Sequence, residues 1–286
     1  MRARLAFAAL TVVAAIAIVA WALLPGKLPG LGSTASARTS QSASPSASRS
    51  PKASVLTSNM HEVFSAKFRG SALNSAVWDT CYPWADQTAG CTNFGNASKE
   101  FEWYLPSQVQ VSGGALDLTA TRERTAGTTK TGSPKEYICR SGMVTTHPSF
   151  NFKYGYVQVV AHLSNGSGTW PALWLAASNY AWPPEIDILE HWGSPRDSSG
   201  MFFHPVGAGQ VAEALPPQDY DLTSGWQTLA VDWTPSKVTW YIDGKAIFSV
   251  VQHIPHQKMY FIADVAAFSK RCSGTLEIRS VKIWQN

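Results

Sequence analysis

The sequence predicts an all-β domain, a sandwich or barrel of short strands, on three observations. Apolar residues alternate with polar ones in many short segments, the period of a half-buried strand. Gly, Pro, Ser and Asn punctuate those segments. No amphipathic helical pattern runs beyond about two turns.

The chain begins with material outside that domain. Leu5 to Leu24 is almost unbroken Ala, Val, Leu and Ile, preceded by Arg2 and Arg4. That is the layout of a secretory signal or an N-terminal anchor. The run is about 20 residues, long enough to span a bilayer as a helix, and Ala35-Ser36-Ala37 offers a small-residue cleavage site. Residues 1–29 are expected to export the chain, either as a cleaved signal or as a membrane anchor through residues 5–24. Residues 30–58 are mostly Ser, Ala, Thr, Pro and Gly with no acid, too little apolar surface to offset chain entropy, and read as a disordered tether. Residues 59–286 then form one domain, expected to act as a monomer outside the cytoplasmic membrane.

The formal charge of +4 changes meaning once the chain is divided. Six basic residues (Arg2, Arg4, Lys27, Arg38, Arg49, Lys52) precede position 59, which leaves 17 basic against 19 acidic residues in the domain. No basic clustering on the folded part calls for a nucleic-acid partner. Four cysteines, Cys81, Cys91, Cys139 and Cys272, fit an exported domain with up to two disulfides. Of the three pairings they allow, the short loop favours Cys81–Cys91, which leaves Cys139–Cys272. No C-x-x-C or Cys/His cluster marks a metal site, and no G-x-S-x-G elbow or phosphate-binding glycine loop is present. His253 and His256 have no nearby acid in sequence. Asn96 and Asn165 match glycosylation sequons, a pattern that turn asparagines often produce by chance.

Within the domain, Val109 and Val111, the turn Gly113-Gly114, then Leu116, Leu118 and Ala120 read as a hairpin. Tyr154–His162 and Leu229–Trp233 read as strands. Val238–Ile242, Asp243-Gly244 and Ala246–Phe248 read as a second hairpin, since Asp-Gly suits a two-residue turn with positive φ at both positions. Met259–Val265 and Leu276–Trp284 complete the series. Of 12 tryptophans only Trp21 lies outside the domain; each of the others either fills the core or lines a cleft and stacks on a flat ligand.

The chemical centre is Glu185-Ile186-Asp187-Ile188-Leu189-Glu190. In a regular strand Glu185 and Asp187 share a face while Ile186 and Ile188 take the other. Glu190 is out of phase by one residue, and a β-bulge between Asp187 and Glu190 returns it to the face of the other two. Three like charges on one face raise one another's pKa. Glycoside hydrolysis uses such a set, because one carboxyl must be ionised while another is protonated, about 5–5.5 Å apart in retaining enzymes. Taken alone, the same pattern also suits a solvated acidic strand face.

Gly168-Thr169-Trp170-Pro171-Ala172-Leu173-Trp174-Leu175, followed by the acidic strand, resembles glycoside hydrolase family 16, whose G-x-W-P-A-x-W strand precedes E-x-D-x-x-E. Phe101-Glu102-Trp103-Tyr104 and the pair Trp233-Thr234-Pro235 and Trp240-Tyr241-Ile242-Asp243-Gly244 extend the resemblance from about Val63 to the C-terminus. It implies a concanavalin-like jelly-roll β-sandwich of two curved antiparallel sheets with a concave cleft. It also implies a retaining endo-hydrolase of β-1,3- or mixed β-1,3/1,4-glucan, with a galactan hydrolase, a cell-wall transglycosylase or a non-catalytic sugar-binding sandwich as alternatives. By motif position Glu185 resembles the nucleophile, Glu190 the acid/base and Asp187 the assisting acid. Trp170, Trp174, Trp192, His204 and Trp103 are implied to meet the polysaccharide. Relatives often carry S-G-R before a strand; here Ser141-Gly142 precedes Met143, and Arg140 on the other side is the remaining candidate. No cofactor is implied for the chemistry. Relatives often hold a structural calcium, for which Glu62 and Glu277 are the nearest counterparts.

Overall fold

The computed structural model describes residues 57–85, 90–93, 101–164, 166–193, 198–205, 212–214 and 221–286. The expected export segment, nearly all of the expected tether, Asn96 and Asn165 lie outside the described residues. Among the described residues no helix is long and apolar enough to cross a membrane.

The first strands in chain order are β1 (His61–Lys67), β2 (Glu102–Tyr104), β3 (Val109–Ser112), β4 (Ala115–Ala120), β5 (Thr125–Thr128) and β6 (Pro134–Tyr137). Next come β7 (Cys139–Ser141), β8 (Met143–Thr145), β9 (Gly155–Leu163), β10 (Thr169–Ala177), β11 (Glu185–Trp192) and β12 (Ser198–His204). The remainder are β13 (Ala212–Ala214), β14 (Gln227–Trp233), β15 (Val238–Ile242), β16 (Lys245–Val250), β17 (Met259–Ala267) and β18 (Gly274–Gln285). The expected all-β architecture is observed.

Two antiparallel sheets form the body. One has the order β16-β15-β14-β9-β18-β4-β3, with β1 also paired to β18. The other has the order β13-β12-β11-β10-β17-β8. Their facing sides share one apolar core, in which Leu173, Ile186, Ile188 and Phe261 of the second sheet meet Val159, Val231, Trp240 and Ile278 of the first. Strand β9 shows how the period-two pattern produces this: from Val157 to Leu163 the odd positions are buried and the even ones half-exposed.

Both predicted hairpins are present. Asp243 and Gly244 have φ of 48° and 80°, and Gly113 and Gly114 have 56° and 81°. Left-handed geometry at both turn positions matches the right-handed twist of the flanking strands, and glycine adopts it without a Cβ clash. The Asp243 carboxylate accepts from the Thr228 amide at 2.8 Å, tying the turn to the neighbouring strand.

The disulfides are Cys81–Cys91 and Cys139–Cys272. The calcium counterparts do not share a site. Glu62 accepts from Lys282 at 2.5 Å, and Glu277 is bonded to His162 at 2.5 Å. Glu62 lies opposite Trp284 on β18, seven residues along that strand from Glu277, roughly 20 Å away. These two acids therefore do not fit one ion.

Candidate active site

The second sheet turns one face to the core and the other to an open cleft of about 330 Å³. Strand β11 carries the three acids across it. Glu185 lies opposite Ala176 of β10 and His204 of β12, Asp187 opposite Trp174 and Phe202, and Glu190 opposite Ala172 and Gly200. The register slips between Asp187 and Glu190 on the β12 side and between Leu173 and Trp174 on the β10 side. This is the bulge that the phase of the sequence required. It sends both Ile188 and Leu189 into the core, at 0% and 1% exposure, and brings Glu190 back to the cleft with Glu185 and Asp187.

A bulge interrupts the ladder, and a buried carbonyl freed by it needs another donor. Trp240, on the opposite sheet, supplies one: its indole N–H donates to the Asp187 carbonyl oxygen at 2.7 Å. The irregular point of the strand is thus pinned from across the core.

The acids sit in different electrostatic surroundings. Asp187 is 1% exposed; burial, then the charges of Glu185 and Glu190, push its carboxyl well above the usual range. Glu185 is raised to about 7, chiefly by burial, against the opposing hydrogen bonds from Trp182 and Asp187. The two neighbouring carboxyls titrate together, both held above the usual carboxylate range by burial, so the pair keeps protons further toward neutrality than free acids do. His204 places Nε2 3.4 Å from Glu185 Oε1 and 3.5 Å from Asp187 Oδ2, and burial lowers its pKa, favouring neutral imidazole. One carboxylate oxygen each of Glu185 and Asp187 and one ring nitrogen of His204 lie within 4.8 Å of one another.

The aromatic candidates divide. Trp170 and Trp174 line the cleft, and Trp192 packs on Trp170 with ring centroids 5.4 Å apart. Trp174 donates its indole N–H to Asp264 at 2.8 Å, which turns the ring into part of the floor. Trp103 is a correction. Side chains alternate along β2, so Glu102 and Tyr104 reach the cleft lining while Trp103 points away and is 1% exposed. Its ring packs on Tyr137 at 4.9 Å and covers Gly127, where a Cβ would lie 2.6 Å from the indole. Arg140 pairs with Trp103 in the parallel β2–β7 ladder, and its guanidinium meets Glu123 at 2.8 Å.

Reading along the sequence missed Tyr82, Glu102, Asp264 and Trp182. Asp264, 3% exposed, accepts from Tyr82 at 3.1 Å and from Trp174, and burial raises its carboxyl to about 6. Tyr82 and Asp264 are 182 residues apart, so only the fold brings them together. Trp182 had a local signal, since it lies three residues before Glu185; its indole N–H donates to Glu185 Oε2 at 3.1 Å.

Residues 97–266 match the family described as Glycosyl hydrolases family 16. Among similar proteins, Endo-1,3-1,4-beta-glycanase EglC of Rhizobium meliloti (strain 1021) is 31% identical over 223 residues, covering 74% of this chain and 46% of that protein. Endo-1,3-1,4-beta-glycanase ExsH of the same organism is 29% identical over 226 residues, covering 74% and 47%. The chain thus spans about half the length of either relative. The solved endo-beta-1,3-glucanase from Pyrococcus furiosus superposes with a TM-score of 0.66 at 21% identity, over 79% of this chain and 94% of that one, a likeness of fold.

Proposed function

The chain belongs to glycoside hydrolase family 16, and on that premise we propose that it is an endo-acting, retaining hydrolase of β-1,3- or mixed β-1,3/1,4-glucan. The observation that carries the proposal is the bulged strand β11, which gathers Glu185, Asp187 and Glu190 on one wall of a single cleft.

In this reading the ionised Glu185 attacks the anomeric carbon from the face opposite the departing sugar. The bond from that carbon to the bridging oxygen breaks, and Glu190 delivers its proton to that oxygen. A glycosyl ester on Glu185 results. Glu190, now a carboxylate, takes a proton from water, whose oxygen attacks the same carbon and releases Glu185. Two inversions give retention. Asp187 holds the proton that would otherwise neutralise Glu185, and neutral His204 steadies both acids from β12. Trp170, Trp174 and Trp192 offer aromatic faces to the sugar rings. The double displacement needs these carboxyls and water.

We also place the working enzyme outside the cytoplasmic membrane, on the export segment of residues 1–29 and the two disulfides, with residues 30–58 as tether and 59–286 as the catalytic domain. The test is reducing-sugar release from laminarin, barley β-glucan, lichenan and agarose with sizing of products. Glucan cleavage into mid-sized oligosaccharides is expected. Glu185→Gln should lose more than about a thousandfold in kcat while still binding polysaccharide. Cleavage of agarose alone would move the substrate to galactan; longer products than substrate would show transglycosylation. Full activity in Glu185→Gln would overturn the assignment of the nucleophile.

A further inference from the structure

Trp182 stands where β10 hands over to β11, in the segment Ser178–Pro184 just before Glu185. Its indole N–H reaches Glu185 Oε2 at 3.1 Å, and its ring packs on His204 with centroids 5.5 Å apart. Yet 68% of the residue is exposed. A large ring left that open beside a reactive carboxyl is an unusual expense of apolar surface.

The segment is built to present it. The Tyr180 amide donates to Ala177 O at 3.0 Å and the Ala181 amide to Asn179 Oδ1 at 3.2 Å. Tyr180 has a φ of 61°, a left-handed conformation that costs a bulky residue free energy and that glycine would adopt freely. Pro183 and Pro184 limit the backbone on the other side. The two Glu185 oxygens are consequently held apart, Oε1 facing His204 and Oε2 facing Trp182.

We propose that Trp182 is a positioning residue for the nucleophile and, through its open ring, the wall against which the sugar on the Glu185 side of the cleaved bond stacks. This rests on the reading of Glu185 given above. An N–H donor at Oε2, with the His204 ring 3.4 Å from Oε1, restrains rotation of the carboxylate away from the anomeric carbon and stabilises its ionised form. The same ring buries itself against the apolar face of a glucosyl unit when the cleft fills. Among the described residues, the other titratable groups around Glu185 are Asp187 and Glu190 on its own strand, His204 on β12, and Tyr260 and Asp264 on β17, while β10 presents Ala176.

The two roles separate by substitution. Trp182→Phe keeps a ring and removes the N–H: KM for barley β-glucan should stay within about twofold, kcat should fall about tenfold, and the acid limb of kcat/KM should move to higher pH. Trp182→Ala removes both, and KM should also rise several-fold. A Phe variant with the wild-type pH profile would overturn the positioning role, and an Ala variant with unchanged KM would overturn the stacking role. A second measurement is independent of turnover. In the 15N-labelled chain, the indole resonance missing from Trp182→Phe should move with pH and lose that midpoint in Glu185→Gln. A resonance that does not titrate would overturn the proposal. Titration without cleavage of any glucan would leave the contact standing and remove the glucanase reading instead.

Discussion

Glu185 keeps its proton in the folded chain up to about pH 7, whereas in the unfolded chain it ionises near 4.5. Between those values the folded state binds more protons than the unfolded one, so stability falls as pH rises through that interval. The contribution is complete below about pH 4.5 and lost by about pH 7. Asp187 acts in the same direction, being raised by deeper burial and by its acidic neighbours. Glu185→Gln should therefore match the wild type in stability at pH 4 and exceed it at pH 7, by on the order of 1–3 kcal/mol. Thermal unfolding of both proteins at the two pH values checks this, with a gain of several degrees expected at pH 7 only. An equal gain at both would show that packing, and not ionisation, is responsible. The acid proposed as the nucleophile thus also makes the fold less stable as pH rises through that interval.

Strand β11 shows what one irregular element contributes. A regular strand would keep Glu185 and Asp187 together and send Glu190 into the core. The bulge instead buries Ile188 and Leu189, and Trp240 of the facing sheet satisfies the Asp187 carbonyl. Strand β2 shows the opposite case, in which regular alternation decides a role. Glu102 and Tyr104 face the cleft, and Trp103 between them packs over Gly127 and Tyr137 of the β5–β6 hairpin. Trp103→Ala should cost about 3–5 kcal/mol of stability, read by urea denaturation, with KM for glucan unchanged in the folded fraction. A raised KM without loss of stability would return Trp103 to the binding surface.

For the molecule as a whole, the two disulfides do different work. Cys139–Cys272 spans a sequence separation of 133 and joins β7 to the turn before β18; Cys81–Cys91 spans 10. In the chain-entropy description the first stabilises by about 5 kcal/mol and the second by about 3. Replacing Cys139 and Cys272 together by Ser should lower stability more than replacing Cys81 and Cys91. The shorter bridge instead anchors the loop that carries Tyr82, stacked on Trp84 at 4.9 Å, into the cleft. Its loss should raise KM more than it lowers the unfolding midpoint. Equilibrium unfolding and kinetics on the two double variants test the division.

Strand periodicity, the Asp-Gly and Gly-Gly turns and the phase error at Glu190 are local properties, so the sequence by itself determined the all-β class, both hairpins and the need for a bulge. The resemblance of the Trp170–Glu190 stretch to a known family added the sandwich and an expectation of what its acids do. Alternation states which residues share a face, but not which face meets the partner sheet and which the cleft. Trp103 was expected at the cleft and is buried instead, because the burial of a face is decided by elements far away in the chain. Asp264, Tyr82 and Trp174 converge from three separate segments, and Trp240 reaches Asp187 from the other sheet. Such contacts depend on how two sheets stack and where loops cross them, and the tertiary structure alone decided them.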